Sequence, residues 1–273
     1  MHTKREKQAG RLRILSRVYM ILVLVFLYAP VVIMIRFSFN NSRANVSWAG
    51  FTTKYYQELF SDGSLWQIFF ITVFIAAVVT LLGVIIGTLG AVGMRKAKFP
   101  GKSLIVNSIY FPIVIPEIVL AVALLLMFNF SGTSLGVPTI IIGNTTLVLP
   151  YVYITVKARL VGMDPSIEEA SMDLGANRIY TFLHVTCPQI VPGILSGAFM
   201  SFSLVLDELI ITSFLADAET VTLPMKVYSM IKKGISPEIN ALTTIIFAVC
   251  FAALLIYLIL DAIRNRKTKP AAV

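Results

Sequence analysis

Three carboxylates stand among residues that are almost all apolar: Glu117, at the end of Phe111-Pro-Ile-Val-Ile-Pro-Glu117, and Asp207 with Glu208, at the end of Ser201-Phe-Ser-Leu-Val-Leu-Asp-Glu208. On a helix Ser196, Met200, Ser203 and Asp207 share one face, so this run carries a polar stripe ending in an acid. Glu208 points about 100° away and is expected to serve an outer rim or a salt bridge. A carboxylate in such a setting has two uses. It can line a path for a cation, or it can stabilise a helix start, as Glu117 would if Pro116 opens a new helix. Three acids with no Lys or Arg in the same runs favour a cationic solute over an anionic one. Glu117, Asp207 and Ser203 are therefore the expected pathway residues.

Other chemistry is missing from the pattern. There is no nucleophile elbow, no His-Glu-x-x-His and no carboxylate pair in a soluble domain, so no catalytic residue and no enzyme activity are expected. His2 and His184 lack metal-ligand spacing, and Cys187 and Cys250 read as small apolar side chains rather than a disulfide. Gly101-Lys102-Ser103 resembles the end of a nucleotide loop, but Lys96 stands where its first glycine belongs and no strand precedes it. The chain is expected to hold no metal and no cofactor of its own. The sequons at Asn40, Asn45, Asn129 and Asn144 read as chance patterns.

The elements that must position these acids follow from composition. Of 273 residues, 57% are hydrophobic and 14% charged, and the mean hydropathy is +0.84, too little polar surface to cover a soluble globule. Val18 to Ile35, Leu65 to Met94 and Ile118 to Val156 carry no charge, and a spanning helix needs roughly 20 apolar residues. With the turn-rich stretch Phe130 to Thr139 as a divider, the sequence predicts six spans near 18–35, 67–94, 104–129, 139–156, 189–211 and 241–260. The first apolar run is too long for a signal peptide and is expected to be a retained span.

The net charge of +9 and pI near 9.6 do not point to nucleic acid, because the basic residues fall in short tracts between spans. Lys4, Arg5, Lys7, Arg11, Arg13 and Arg17, then Arg95, Lys96, Lys98 and Lys102, then Lys157, Arg159 and Arg178, and finally Arg264, Arg266, Lys267 and Lys269 all fall on one side when six spans alternate. By the positive-inside rule that side, with both termini, is cytoplasmic. Gly83, Gly87 and Ala91, and likewise Gly193, Gly197 and Ser201, recur every four residues and make smooth strips for close helix packing, within the subunit or between subunits.

Glu117 lies about 20 Å into the third span, where a charge must face protein or water. Pro112 and Pro116 disrupt the helix there and free backbone carbonyls that only protein or a wet cavity can satisfy.

Between the fourth and fifth spans, Asp164-Pro-Ser-Ile-Glu-Glu-Ala-Ser-Met-Asp-Leu-Gly175 predicts a short helix. Ser166 and Glu169 have capping-box spacing, Ile167, Ala170, Ser171 and Leu174 form a narrow apolar or small face, and Glu168, Glu169 and Asp173 keep it in water. Gly175 is suited to ending it, Asn177 to capping a second helix that reaches Thr186, and Pro188 to opening the fifth span.

Glu169-Ala-Ser171, three residues, Gly175, nine residues, then Val185-Thr-Cys-Pro188 resembles the EAA motif of ABC-importer permeases, with Ser171, Val185 and Cys187 as departures. Ser38-Phe-Asn40 with Trp48 to Tyr56, Pro116-Glu117, Ser201 to Asp207, Thr222 to Ser229 and Ser236 to Ala241 are similar to the spermidine/putrescine (polyamine) permeases of the PotC type. The resemblance implies an all-α polytopic membrane protein with the type I ABC importer permease fold. It further implies a core over residues 65–262 with a coupling loop at about 164–188, preceded by a tail, first span and outer loop (1–64) and followed by a basic tail (263–273).

The implied partners are a second permease in a heterodimer, two copies of a cytoplasmic ABC ATPase that use ATP, an extracytoplasmic polyamine-binding protein and the lipid bilayer, with no nucleic acid. Glu169, Ala170, Ser171, Leu174 and Gly175 would couple to the ATPase, in a bacterial cell membrane. The alternatives are a permease for another small cation or ferric iron, or an ATPase-independent secondary transporter or channel.

Overall fold

All six apolar segments are helical in the computed structural model, which describes residues 2–42, 47–232 and 237–267. Asn45, Ser236 and Lys269 lie outside the described residues, as do the side chains of Lys4, Arg5, Lys7, Arg11, Lys96, Cys250, Arg264, Arg266 and Lys267. The helices in chain order are α1 (His2–Ser38), α2 (Lys54–Ser61), α3 (Gly63–Lys96), α4 (Lys102–Ile109), α5 (Phe111–Val114), α6 (Glu117–Phe130) and α7 (Val137–Val161). Then come α8 (Pro165–Asp173), α9 (Arg178–Thr181), a π-turn (Phe182–Thr186), α10 (Cys187–Asp207), α11 (Ile210–Leu215), α12 (Leu223–Lys232) and α13 (Pro237–Lys267). Stretches Arg13–Ser38, Gly63–Arg95, Val137–Val161 and Arg178–Asp207 are each long and apolar enough to cross a membrane, and Glu117–Phe130 and Pro237–Val249 are shorter apolar helices.

Three boundaries differ from the sequence expectation. The third span is not one helix: Ile115 and Pro116 are extended (ψ 133° and 132°), because a proline drives the residue before it out of the helical region. The fifth span stops at Asp207 rather than 211, since Glu208 turns extended (ψ 120°) and α11 starts anew. The helix capped by Asn177 does not end before Pro188. It continues through the π-turn into α10, and Cys187 N–H donates to the carbonyl of Phe182, five residues back. The wider turn lets the rod pass Pro188, which has no N–H to give and would crowd the carbonyl four residues earlier.

The chain divides into two compact units, residues 64–226 and residues 1–63 with 227–273. In the second of these α13 packs on α1 and α2. The loop after α1 is tied by a polar knot: Ser38 and Tyr56 hydroxyls meet at 2.6 Å, Asn40 donates to Ser47 O (2.8 Å) and accepts from Ala49 N–H (2.7 Å), and Phe39 stacks between Phe51 and Tyr56.

In the unit 64–226 the fourth span, α7, is the spine. Val148, Val152 and Val156 are fully buried, and α10 lies along it with Ile190, Gly193, Gly197, Ser201 and Val205 turned inward. A Cβ on Gly197 would sit 3.0 Å from the Val152 Cα and 2.6 Å from Thr155 Oγ1, and one on Gly193 would sit 2.8 Å from the Thr155 carbonyl oxygen. From α3, a Cβ on Gly87 would meet Val152 at 2.8 Å and one on Gly83 would meet Val148 at 3.0 Å. Both small-residue strips are therefore filled by α7 of the same chain, which lets backbones approach and dispersion contacts accumulate without a water-driven hydrophobic effect.

Gly197→Val is expected to lower the thermal stability of the solubilised permease by the equivalent of about 1 to 3 kcal/mol through overpacking against backbone. Gly93→Ala, at a helical glycine whose Cβ would meet nothing within 4 Å, is expected to match or exceed the parent. Equal melting of the two variants would contradict the packing assignment.

Candidate functional site

Two polar groupings stand out in the unit 64–226. The first lies where the third and fifth spans break. Pro116 caps α6, and its carbonyl accepts from Val119 N–H (2.9 Å) and Leu120 N–H (3.2 Å), so Glu117 occupies the first turn, where the positive end of the helix dipole favours a carboxylate. Glu117 is half-buried, and its carboxyl is close enough to those of Glu208 and Asp207 to interact with them electrostatically. Asp207 and Ser203 are exposed, together with Ser196 and Met200, along the face of α10 opposite α7. The break thus gathers three carboxyl groups into one patch of negative potential.

Glu208 is not a solvated charge, and among the described residues it makes no salt bridge. It is 5% exposed and folds onto the start of α11, where Oε1 accepts from Ile211 N–H (2.6 Å) and Oε2 accepts from Thr212 N–H (2.8 Å) and the Thr212 hydroxyl. The helix break after Asp207 leaves α11 with unpaired amides, and the nearest carboxylate satisfies them. The far end of α11 is tied to α7, since the Leu215 carbonyl accepts from Gly136 N–H (3.0 Å) and from the Thr139 hydroxyl (2.9 Å). Asn144 Nδ2 donates to Thr212 Oγ1 (3.3 Å), and Gly143 leaves no room for a Cβ beneath Leu215 and Ile211. Glu208 is thus a structural clasp beside two more accessible acids. The spacing Glu208-x-x-x-Thr212 across a helix break was the available signal.

The second grouping is the loop between the fourth and fifth spans. The capping residue of α8 is Asp164 rather than Ser166: its carboxylate accepts from Ser166 N–H (2.9 Å), so the expected Ser166 and Glu169 box does not form. Hydrogen bonds from Ser166, its backbone N–H foremost and then its hydroxyl, hold the Asp164 carboxyl below the usual carboxylate range. Gly175 ends the helix at φ +92°, with Ala176 N–H returning to Ser171 O (3.2 Å) and Gly175 N–H to Met172 O (2.9 Å). Glu169, Ala170, Leu174 and Gly175 are exposed, Leu174 at 90%, and Ile167, Ile179 and Leu183 extend this apolar surface. Ser171 is half-buried and faces Thr181, hydroxyl to hydroxyl at 3.1 Å.

Glu168, expected to keep the helix in water, does the opposite. It is 6% exposed, and Oε1 accepts from the Arg95 guanidinium (2.9 Å) at the end of α3 and from the Thr186 hydroxyl (2.9 Å) in the π-turn. Arg95, read from sequence only as a topology marker, is thus the anchor of the loop. The inner face of α8 is set by Glu168 and Ser171, three residues apart, and the outer face by Glu169, Ala170 and Leu174. Among the described residues no group of three or more His, Cys, Asp or Glu is arranged to hold a metal ion.

Comparison with known proteins gives a consistent picture. The family model described as "Binding-protein-dependent transport system inner membrane component" matches residues 80–269. The spermidine/putrescine transport system permease protein PotC of Escherichia coli K12 is 35% identical over 257 residues, covering 94% of this chain and 96% of that protein. The putrescine transport system permease protein PotI of the same organism is 38% identical over 236 residues, 84% of each chain. Among solved structures, a chain of a bacterial ABC transporter involved in import of the acidic polysaccharide alginate superposes with a TM-score of 0.73 at 19% identity, over 97% of this chain and 99% of that one.

The clamp on Glu168 generates a local test. Hydrogen bonds to charged groups contribute about 1.5 to 3 kcal/mol, so Glu168→Gln should speed amide hydrogen exchange across residues 165–174 by roughly tenfold to a hundredfold. Glu169→Gln, on the exposed face, should leave that exchange unchanged. Equal protection in both variants would remove Glu168 as the anchor.

Proposed function

Since the chain belongs to the binding-protein-dependent transport system inner membrane component family, the permeases of ABC importers, we propose that it is the permease subunit of an ATP-driven polyamine (spermidine/putrescine) importer. Identity to spermidine/putrescine permeases along nearly the whole chain carries this reading, and the carboxyl patch of Glu117 and Asp207 supports it chemically. A polyamine presents several ammonium groups, and each must exchange water for fixed oxygen acceptors to cross. Exposed Asp207 and Ser203 on the free face of α10 and half-buried Glu117 at the break of the third span supply such acceptors in sequence. One carboxylate and one ammonium about 4 Å apart attract by about 4 kcal/mol at an effective dielectric near 20, before desolvation is subtracted. Glu208, whose oxygens are occupied by α11, adds charge to the patch and positions its neighbours.

The chain works with a second permease, two cytoplasmic ATPases that hydrolyse ATP, and an extracytoplasmic binding protein that delivers the polyamine. Both termini and the 164–188 loop face the cytoplasm, as the Lys and Arg tracts favour. Residues 65–262 form the permease core. The outer face of α8, with Glu169, Ala170 and Leu174, docks on the ATPase, while Ser171 and Gly175 shape that helix and its end. ATP-driven closure of the ATPases moves the platform and switches the path from inward-facing to outward-facing.

In proteoliposomes holding the full complex, Asp207→Asn is expected to lower kcat/KM for polyamine uptake about tenfold, and Asp207→Lys to abolish it, with the amount of folded complex unchanged. Glu117→Gln should behave like Asp207→Asn. Loss of complex in proportion to loss of uptake would instead make Glu117 a helix-start residue alone.

Coupling is tested separately. Glu169→Lys, or Gly175→Leu at its left-handed φ, should eliminate binding-protein-stimulated ATP hydrolysis while the chain stays in the membrane. Normal stimulation in both variants would exclude α8 as the docking element.

A further inference from the structure

The ends of α3, α4 and α7 enclose a cavity of about 280 Å³ lined by Arg95, Lys102, Val106, Tyr153, Lys157 and Val161, among others. Three cations converge on it, and no carboxylate is among its lining residues. Arg95 is engaged through its Nη1 by Glu168, while Lys102 and Lys157 are half-buried and form no ion pair among the described residues. Lys157 is held in place by aromatic rings: its ammonium donates to Tyr110 Oη (3.1 Å) and lies 5.6 and 5.5 Å from the ring centroids of Tyr110 and Tyr153. A lysine fixed in this way has already lost its rotamer freedom, so a second acceptor binds it at small entropic cost.

The surroundings identify the occupant. The cavity sits at the basic ends of two long apolar helices and the start of a short one: Arg95 closes the apolar stretch of α3, Lys157 is in the last two turns of α7, and Lys102 opens α4. Its flank continues into exposed apolar side chains, Ile105 at 47% and Val161 at 77%. A basic notch continuous with lipid-facing hydrocarbon at the level of the headgroups suits an amphiphile with a negative head and apolar chains. A soluble anion would use the cations and leave the apolar flank uncovered.

We propose that the notch between α3, α4 and α7 binds the headgroup phosphate of an anionic phospholipid, with Lys102 and Lys157 as its ligands and the acyl chains along Ile105 and Val161. The lipid would stand beside the Arg95–Glu168 pair and so brace the anchor of the coupling loop. This rests on the chain's membership of a membrane permease family and not on the identity of the transported solute, so failure of the polyamine reading would leave it untouched.

The test counts phosphatidylglycerol retained by the assembled transporter, taken from nanodiscs of phosphatidylcholine doped with phosphatidylglycerol, by native mass spectrometry. Replacing two surface-level cations should weaken retention at this site about thirtyfold, so Lys102→Gln with Lys157→Gln loses one tightly held phosphatidylglycerol per copy of this chain. Lys102→Arg with Lys157→Arg should keep it. If the double Gln variant does not assemble, Lys102→Gln alone should show roughly a fivefold loss.

Unchanged retention in the Gln variants overturns the proposal. So does absence of any tightly held phosphatidylglycerol in the assembled complex, which would mean a partner covers the notch. Displacement of the lipid by millimolar inorganic phosphate would assign the site to a soluble anion instead and equally overturn it.

Discussion

The close approach of α10 to α7 across Gly193 and Gly197 is the constraint on which the rest of the unit 64–226 depends. In a bilayer the lipid is as apolar as the helix surface, so helices associate through close packing and satisfied polar groups rather than by expelling water. Glycines at a four-residue spacing allow the backbone of α10 to rest on Val152 and Thr155, and α3 uses the same device on Val148 and Val152 from another side of α7. With its inner face fixed in this way, α10 has one rotational setting. Ser203 and Asp207 then fall on its free face, and the chain after Asp207 must turn where α11 can seat against Gly143.

The breaks in the third and fifth spans follow a common logic. Interrupting a helix inside a membrane frees amides and carbonyls that lipid cannot satisfy, so a break persists only where protein supplies partners. At α11 the partners are Glu208 for the amides and Gly136 with Thr139 for the last carbonyl. At α6 the break is covalent in origin, since Pro116 offers no N–H and forces Ile115 extended. Each break brings a carboxyl group into the same neighbourhood, Glu117 from one side and Glu208 with Asp207 from the other. Backbone satisfaction and negative charge are therefore produced by one arrangement, which is why a residue such as Glu208 belongs to both.

What the sequence made legible, and what it hid, divides along the same line. Features set by short-range physics were readable: apolar run lengths, the glycine strips, the exposed stripe through Ser203 and Asp207, and the helix end at Gly175 with its positive φ. Features set by a distant partner were not. Glu168 and Glu169 are adjacent acids on one amphipathic helix, and the positions of Arg95, 73 residues away, and of Thr186, 18 residues away, decide which of them is buried. Glu208 reads as a charged helix end until α11 is seen to need its oxygens. Pro188 reads as a helix opener because proline usually is one, but the preceding π-turn accommodates it and the rod continues.

That continuous rod gives the two groupings a mechanical relation. Residues 178–207 form one helical stretch of 30 residues, roughly 45 Å at 1.5 Å per residue, with the loop anchor at one end and Asp207 at the other. Thr186 in its π-turn holds Glu168, and Arg95 holds the same carboxylate from the end of α3, so α8 is tied at one point to two long helices. A displacement of α8 is then divided between α3 and the rod, not dissipated in a flexible joint. Both helices also lie on α7 through close glycine contacts, so a displacement passed to either meets tight packing and not open space. A loop helix attached through a flexible linker would dock equally well on a partner yet transmit nothing, so under the proposed coupling role the buried Glu168, which ties α8 to two long helices, matters as much as the exposed face that would meet the partner.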